Sequence, residues 1–285
     1  MRKIGFIDYY IDEWHANNYP KIIRESSFKN KFDVVMAWEE TTKEGKRNID
    51  EWCREQKVQK ASSIEEIVKE CDCIVVLSPD NAERHEDLSD LPLRSGKPVY
   101  IDKPIAPTLA IAKQLFEKAE KHSTPIMSSS ALRFGSKLRE ALKNKIGNLP
   151  IHFVASRGGG VFNIYAIHQL EMLVMALGTG AKQVMQCGNK QSKLMIIAYD
   201  DERRGIINLT PGQPFGITIQ YGKDQGLVVG EMNDYFPCFI EAMLRFFNTG
   251  ISMIPKEETL EIAALIEAGS AALTSQDTWV EVPTK

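Results

Sequence analysis

Over the first half of the chain, short apolar runs alternate with segments of helical periodicity. Ile4 to Ile7, Val34 to Ala37, Ile74 to Leu77, Val99 to Ile101 and Ile126 to Met127 are each too short for a helix and too continuously apolar for a half-exposed strand. Such runs predict buried strands, covered on both faces. Between them lie helical patterns. One opens at Ser63-Ile64-Glu65-Glu66, a capping box in which the serine and the second glutamate satisfy each other's exposed backbone donors. Another sets Leu109, Ala112, Leu115, Phe116 and Ala119 on one face and Lys113, Glu117 and Lys121 outside. Strand–helix alternation of this kind requires right-handed crossovers and a doubly wound parallel sheet.

Beyond about residue 125 the rhythm changes. Ile151 to Arg157 predicts a strand, Gly158-Gly159-Gly160 a break, and Ile164 to Leu177 a helix. Five strand candidates follow: Gln183 to Cys187, Leu194 to Tyr199, Gly205 to Leu209, Phe215 to Tyr221 and Gly226 to Val229. The turn residues between them (Asp200-Asp201, Pro211-Gly212, Lys223-Asp224) predict an antiparallel meander. Two helices close the chain, one burying Phe236, Phe239, Ile240, Met243 and Phe247, the other Leu260, Ala264, Ile266 and Leu273 behind Pro255. The fold class expected is α/β: a Rossmann-like, doubly wound parallel sheet over 1–125, then an α+β domain with a mainly antiparallel open sheet over 126–285. The open face of that second sheet predicts a homo-oligomer.

Charge adds mainly exclusions. Lys+Arg of 35 against Asp+Glu of 38 leaves −3, which predicts neither nucleic acid nor an anionic membrane as partner. Only four residues separate the basic start from Asp8, too few for a signal-peptide core, and no apolar run approaches a membrane span. Cys53, Cys71, Cys73, Cys187 and Cys238 are odd in number and irregular in spacing, as in a reduced, cytoplasmic protein. Cys71 and Cys73 lack a second ligand pair, which favours structural thiols over a metal site.

The most informative stretch is Ile74-Val75-Val76-Leu77-Ser78-Pro79, then His85, then Gly96-Lys97-Pro98-Val99-Tyr100-Ile101-Asp102-Lys103-Pro104. Ser128-Ser129-Ser130-Ala131-Leu132-Arg133-Phe134 follows, and Tyr235 to Phe247, Thr249-Gly250 and Trp279-Val280-Glu281-Val282-Pro283 close the chain. In this order the motifs resemble those of the glucose–fructose oxidoreductase and inositol dehydrogenase family (Gfo/Idh/MocA), over nearly the whole chain. Asp102 stands where that family has Glu before Lys-Pro. The resemblance implies a nicotinamide cofactor, a polyol or sugar substrate, and a cis Lys103–Pro104 bond. It also implies that Lys103 holds the substrate hydroxyl; the alternative is a solvated lysine at a strand end.

The family's Asp-x-Gly-x-His helix corresponds to Ile164-Tyr165-Ala166-Ile167-His168. His168 is then the implied general base, and the alternative is a histidine held in a hydrogen bond without proton transfer. The aspartate is replaced by Ile164, and Tyr165, three residues before His168 and on the same helical face, is its candidate substitute. Arg133 and Arg157 are candidate contacts to a polar or acidic substituent.

The first loop departs most. A dinucleotide fold needs Gly-x-Gly-x-x-Gly after its first strand, so that backbone and helix N-terminus can approach the pyrophosphate. This chain has Asp8-Tyr9-Tyr10-Ile11-Asp12-Glu13-Trp14-His15-Ala16. Like charges 4 Å apart at a near-surface dielectric repel by roughly 4 kcal/mol, whereas a helix dipole returns about 0.3–1 kcal/mol. Asp12 and Glu13 also suit a helix's first turn. A metal held by Asp8, Asp12 and His15 meets no conventional spacing, so no metal is expected. Asp8, Tyr10, Ser78, Pro79 and Asp102 are the strand-end residues expected to face the cofactor. Glu39 or Glu40 is a ribose acceptor that favours NAD over NADP. The function expected is NAD(P)-dependent oxidation or reduction of a sugar, cyclitol or sugar derivative. The alternative is a redox-inactive descendant acting as a sugar-binding or regulatory protein.

Overall fold

The computed structural model describes residues 1–284, which divide into two compact units. The first comprises residues 1–106, 110–129 and 240–254; the second comprises 107–109, 130–239 and 255–284. Residues 240–254, placed by the sequence reading in the second domain, thus belong to the first unit.

In the first unit the strands are β1 (Arg2–Asp8), β2 (Phe32–Glu39), β3 (Gln59–Lys60), β4 (Cys73–Val76), β5 (Val99–Ile101) and β6 (Ile126–Met127). They form one sheet in the order β3-β2-β1-β4-β5-β6, every pairing parallel. The central strands β1, β4 and β5 carry the buried runs that periodicity predicts. Edge strand β3 escapes such a reading because both of its residues are polar and exposed. The helices are α1 (Trp14–Glu25), α2 (Ile49–Gln56), α3 (Ile64–Glu70), α4 (His85–Leu93) and α5 (Leu109–Lys121). All five apolar positions predicted for α5 are buried. Gly5 lets α3 lie close on β1: a Cβ there would stand 2.5 Å from Ile67 Cγ2 and 2.9 Å from Cys71 Sγ. Cys71 and Cys73 are both buried, and among the described residues no three His, Cys, Asp or Glu side chains cluster so as to hold a metal ion.

The capping of α3 differs from the expected box. Ser63 accepts from Glu66 N at 3.3 Å, but the Glu66 carboxylate reaches one residue further back, to the backbone N–H and hydroxyl of Ser62. The complete box caps α2 instead, between Asn48 and Glu51.

In the second unit α6 (Ser136–Glu140) runs into a π-helical turn, Ala141–Ile146. There follow β7 (Ile151–Gly158), α7 (Phe162–Leu177), β8 (Ala181–Gln186), β9 (Lys193–Tyr199), β10 (Arg204–Leu209), β11 (Gly216–Tyr221) and β12 (Gln225–Val229). Then come α8 (Tyr235–Thr249), which crosses into the first unit, α9 (Lys256–Ala272) and β13 (Trp279–Glu281). The sheet order is β12-β11-β7-β10-β9-β8-β13. It is mainly antiparallel, but it is not a simple meander: β7 is inserted between β10 and β11 and runs parallel to β10. The turns at Asp200-Asp201 and Lys223-Asp224 join antiparallel neighbours as expected. Pro211-Gly212 instead leads from β10 to β11, which do not pair, because the insertion depends on pairing between residues some 50 positions apart. Phe236 and Leu273 are half-buried rather than buried, while the other predicted positions of the two closing helices lie in the core. Among the described residues no helix is long and apolar enough to cross a membrane.

Candidate functional site

The carboxyl ends of parallel strands are where doubly wound folds receive ligands. In the first unit these ends hold an unusual density of buried charge. Asp8 ends β1 fully buried, and neither carboxylate oxygen has a hydrogen-bond partner of normal geometry. Burial first, then Glu13 and Asp102, push its pKa well above the ordinary carboxylate range, against the backbone N–H groups of Tyr9 and Tyr10. The folded state therefore holds this proton more tightly than the unfolded chain. Stability from Asp8 is full below the unfolded pKa and is lost as pH rises toward the folded one. Asp8→Asn should stabilise the protein at neutral pH by about 1–3 kcal/mol, the scale of an unsatisfied buried group. Urea midpoints compared across pH should show that gain shrinking as pH falls to about 4; a pH-independent gain, or a loss, would count against a raised Asp8 pKa.

The loop after β1 is built from side chains that hold one another. Glu13 is the N-cap of α1: its Oε2 accepts from His15 N at 2.7 Å and its Oε1 from Ala16 N. His15 Nδ1 lies 2.9 Å from Glu13 Oε2 and 4.0 Å from Asp102 Oδ2. Burial alone would lower the pKa of His15; Asp102 and Glu13 reverse this and raise it. Asp12 turns away to Arg47 and Asn17, and Arg47 holds its carboxyl well below the usual range. Tyr10 is buried, donates to Asp80 Oδ2 at 3.1 Å, and has the Lys43 ammonium 4.4 Å above its ring.

Glu39, read from sequence as a ribose acceptor, is occupied otherwise. Its Oε2 accepts from Ile11 N at 2.9 Å; its Oε1 accepts from Ile49 N at 3.0 Å and Thr42 Oγ1 at 2.7 Å. Glu40 takes both oxygens to Arg84 at 2.7 Å. The argument for NAD over NADP from these glutamates therefore falls away.

Ser78 and Pro79 follow β4 and are buried; Ser78 has φ +77°, a strained backbone for a non-glycine residue at about 1–3 kcal/mol. His85, at the start of α4, is fully buried, with Nε2 2.7 Å from Leu77 O and Nδ1 3.2 Å from Ile105 O. Asp102 follows β5 directly, with Oδ1 2.9 Å from the Tyr100 hydroxyl and Oδ2 without a hydrogen bond. Burial pushes its pKa up, but His15 and Lys103 outweigh this and hold it below the ordinary value. Lys103 is only 4% exposed, and the Lys103–Pro104 bond is cis.

The second unit brings together a separate group. His168, on α7, has Nδ1 2.7 Å from Ser130 Oγ, with the rings of Tyr165 and Phe215 edge-on at 5.6 and 5.4 Å. Tyr165 meets His168 ring to ring, so the oxygen beside the imidazole belongs to Ser130. Gly160 makes room for Tyr165: with φ +91°, a Cβ there would fall 2.1 Å from the tyrosine ring. Ser130 is itself fixed, since its N–H donates to Glu171 Oε1 at 3.0 Å. Arg133, expected to face substrate, instead lies buried between Glu171 and Glu258. Burial raises the Glu171 pKa more than Arg133 lowers it. Arg157, the other expected substrate contact, donates to Gln213 Oε1 at 2.9 Å, Pro214 O at 3.2 Å and Gly230 O at 2.6 Å.

Sheet order defines the first unit as a Rossmann-like fold. Residues 11–130 match the Gfo/Idh/MocA model, described as an oxidoreductase family with an NAD-binding Rossmann fold, and this region belongs to that family. No curated protein matches the chain. In fold the whole chain is similar to scyllo-inositol dehydrogenase from Lactobacillus casei, a structure with bound NAD(H) and scyllo-inositol (TM-score 0.78, 14% identity, 99% of each chain covered). It is similarly close to a putative myo-inositol dehydrogenase from Sinorhizobium meliloti 1021 (0.77, 14%, 99% and 100%) and a probable dehydrogenase from Thermotoga maritima (0.77, 14%, 98% of each). At such identity these likenesses establish the fold and nothing finer.

The residues of this chain do not fit a dinucleotide in the fold's usual manner. The N–H groups of His15 and Ala16 at the start of α1 already hold a carboxylate, and Tyr10 and Ile11 occupy the loop as buried side chains.

Proposed function

We propose that this chain is an oxidoreductase acting on a hydroxyl of a sugar, cyclitol or sugar derivative, with Lys103 in the role of a hydroxyl-holding group and His168 in that of a proton-exchanging group. The observation that carries the reading is the burial of Lys103. A solvated lysine at a strand end would be largely exposed, whereas this one is 4% exposed beside Asp102 in a region of oxidoreductase-family sequence. Its ammonium can stabilise negative charge developing on a substrate oxygen. The contact of His168 Nδ1 with Ser130 Oγ at 2.7 Å fixes the ring, and in the tautomer whose Nδ1–H donates to that oxygen, Nε2 carries the lone pair that a base needs. In the family to which residues 11–130 belong, the hydride partner is a nicotinamide.

A second reading, a polyol-binding or regulatory protein without redox chemistry, is favoured by the Glu13 carboxylate at the N-terminus of α1. The two separate in an absorbance assay of NAD and NADP reduction over a panel of cyclitols, aldoses and their acids. Turnover on at least one of them at about 1 per second or faster is expected. If none is turned over while isothermal titration still detects a bound polyol, the second reading replaces the first.

A further inference from the structure

We propose that Glu13 is a specificity determinant that closes the N-terminus of α1 to phosphate-bearing ligands, its carboxylate being an internal stand-in for the anion that such a helix binds. A helix start offers unpaired N–H donors and a positive dipole end, and phosphate groups are drawn there for that reason. Here the donors are taken. His15 N and Ala16 N both donate to Glu13, and His15 Nδ1 holds the same carboxylate from the side.

A second, independent set of contacts fixes the loop in this closed form. Ile11 N, which an open loop would leave free for a ligand, donates to Glu39 at the end of β2. Glu39 is tied in turn to Thr42 and to the start of α2. Tyr10 is clamped between Asp80 and Lys43, so the chain on either side of Ile11 is held. Asp8, fully buried with unpaired oxygens, lies within the electrostatic reach of Glu13. An entering phosphate would have to displace one carboxylate and then remain near a second. The ordinary role of an acid near a helix start is a small stabilisation; here the acid is buried, makes two backbone hydrogen bonds and has its own histidine, which is the form of a filled binding site.

The inference rests on the oxidoreductase reading only for the identity of the excluded ligand, and it bears against that ligand entering in the fold's usual manner. Its test is isothermal titration of inorganic pyrophosphate, and separately of NADH, into the wild-type protein, Glu13→Gly and Glu13→Gln. Glycine is tolerated at an N-cap and leaves His15 N and Ala16 N free. Affinity for both probes should rise by about 10- to 100-fold in Glu13→Gly, the range set by losing charge-assisted hydrogen bonds that compete for the same donors. Glu13→Gln, which keeps the shape and removes the charge, should gain less, and it decides the matter if the glycine variant fails to fold. Equal affinity in all three proteins, or no binding of either probe to any of them, would overturn the proposal. Micromolar NADH binding to wild type with no gain in the variants would overturn it while leaving the oxidoreductase reading intact. A gain in pyrophosphate binding without turnover of any polyol would sustain it while removing that reading.

Discussion

Arg133→Ala should cost the second unit about 3–5 kcal/mol, the loss that follows when one partner of a buried ion pair is removed. Arg133 is 5% exposed and carries the compensating charge for Glu171, which is 2% exposed and also bonded to Ser130 N. Without the guanidinium, Glu171 must take up a proton or remain an isolated buried anion, and both are costly. For a unit of this size the melting temperature should fall by roughly 10 °C. Arg133→Met with Glu171→Gln removes both charges and should recover part of the loss. If Arg133→Ala melts with the wild type, the pair has no net role in stability. The effect also extends beyond stability, because Arg133, Glu171, Ser130 and His168 form one continuous chain of contacts. Loosening its buried end should broaden the orientation of the imidazole.

Turnover should fall by about 10²–10⁴ in His168→Ala and by a similar factor in Lys103→Met, the range for losing a proton-transferring or charge-stabilising group. In each case kcat should carry most of the change in kcat/KM. Ser130→Ala should leave measurable turnover but displace the pH profile, since it removes the oxygen beside Nδ1 without removing the base. Full activity in both His168→Ala and Lys103→Met would end these assignments.

Much of this architecture was legible from local pattern. Strands β1, β4 and β5 are buried on both faces and therefore appear as unbroken apolar runs, and the 3.6-residue stripe of α5 names its buried face. Strand β3 was not legible because its two residues are polar and its place comes from pairing with Met36 and Ala37. The insertion of β7 between β10 and β11 lies in register alone.

The candidate site was harder to read for a consistent reason: its side chains are defined by partners far along the chain. Arg133 and Arg157 have the appearance of ligand-binding arginines until Glu258 and Gly230 are brought to them. Ser130 lies 38 residues from His168, and no periodicity connects the two. Glu13 could be read as a first-turn acid but not as a cap, because glutamate is seldom chosen over Ser, Thr, Asp or Asn at that position. Its sharpest local signal was negative: the absence of glycine from a loop that would need it.

The return of residues 240–254 to the first unit sets an order on biosynthesis. Phe247 packs against Phe32 and its carbonyl receives Arg2, while Glu241 holds the backbone and hydroxyl of Ser27. The amino-terminal sheet therefore emerges from the ribosome long before these contacts can form, and it waits unfinished while more than a hundred residues of the other unit are made. A chain cut after residue 129 would carry every strand of that sheet and still lack its last side chains, so the boundary of the folding unit is not a boundary in the gene.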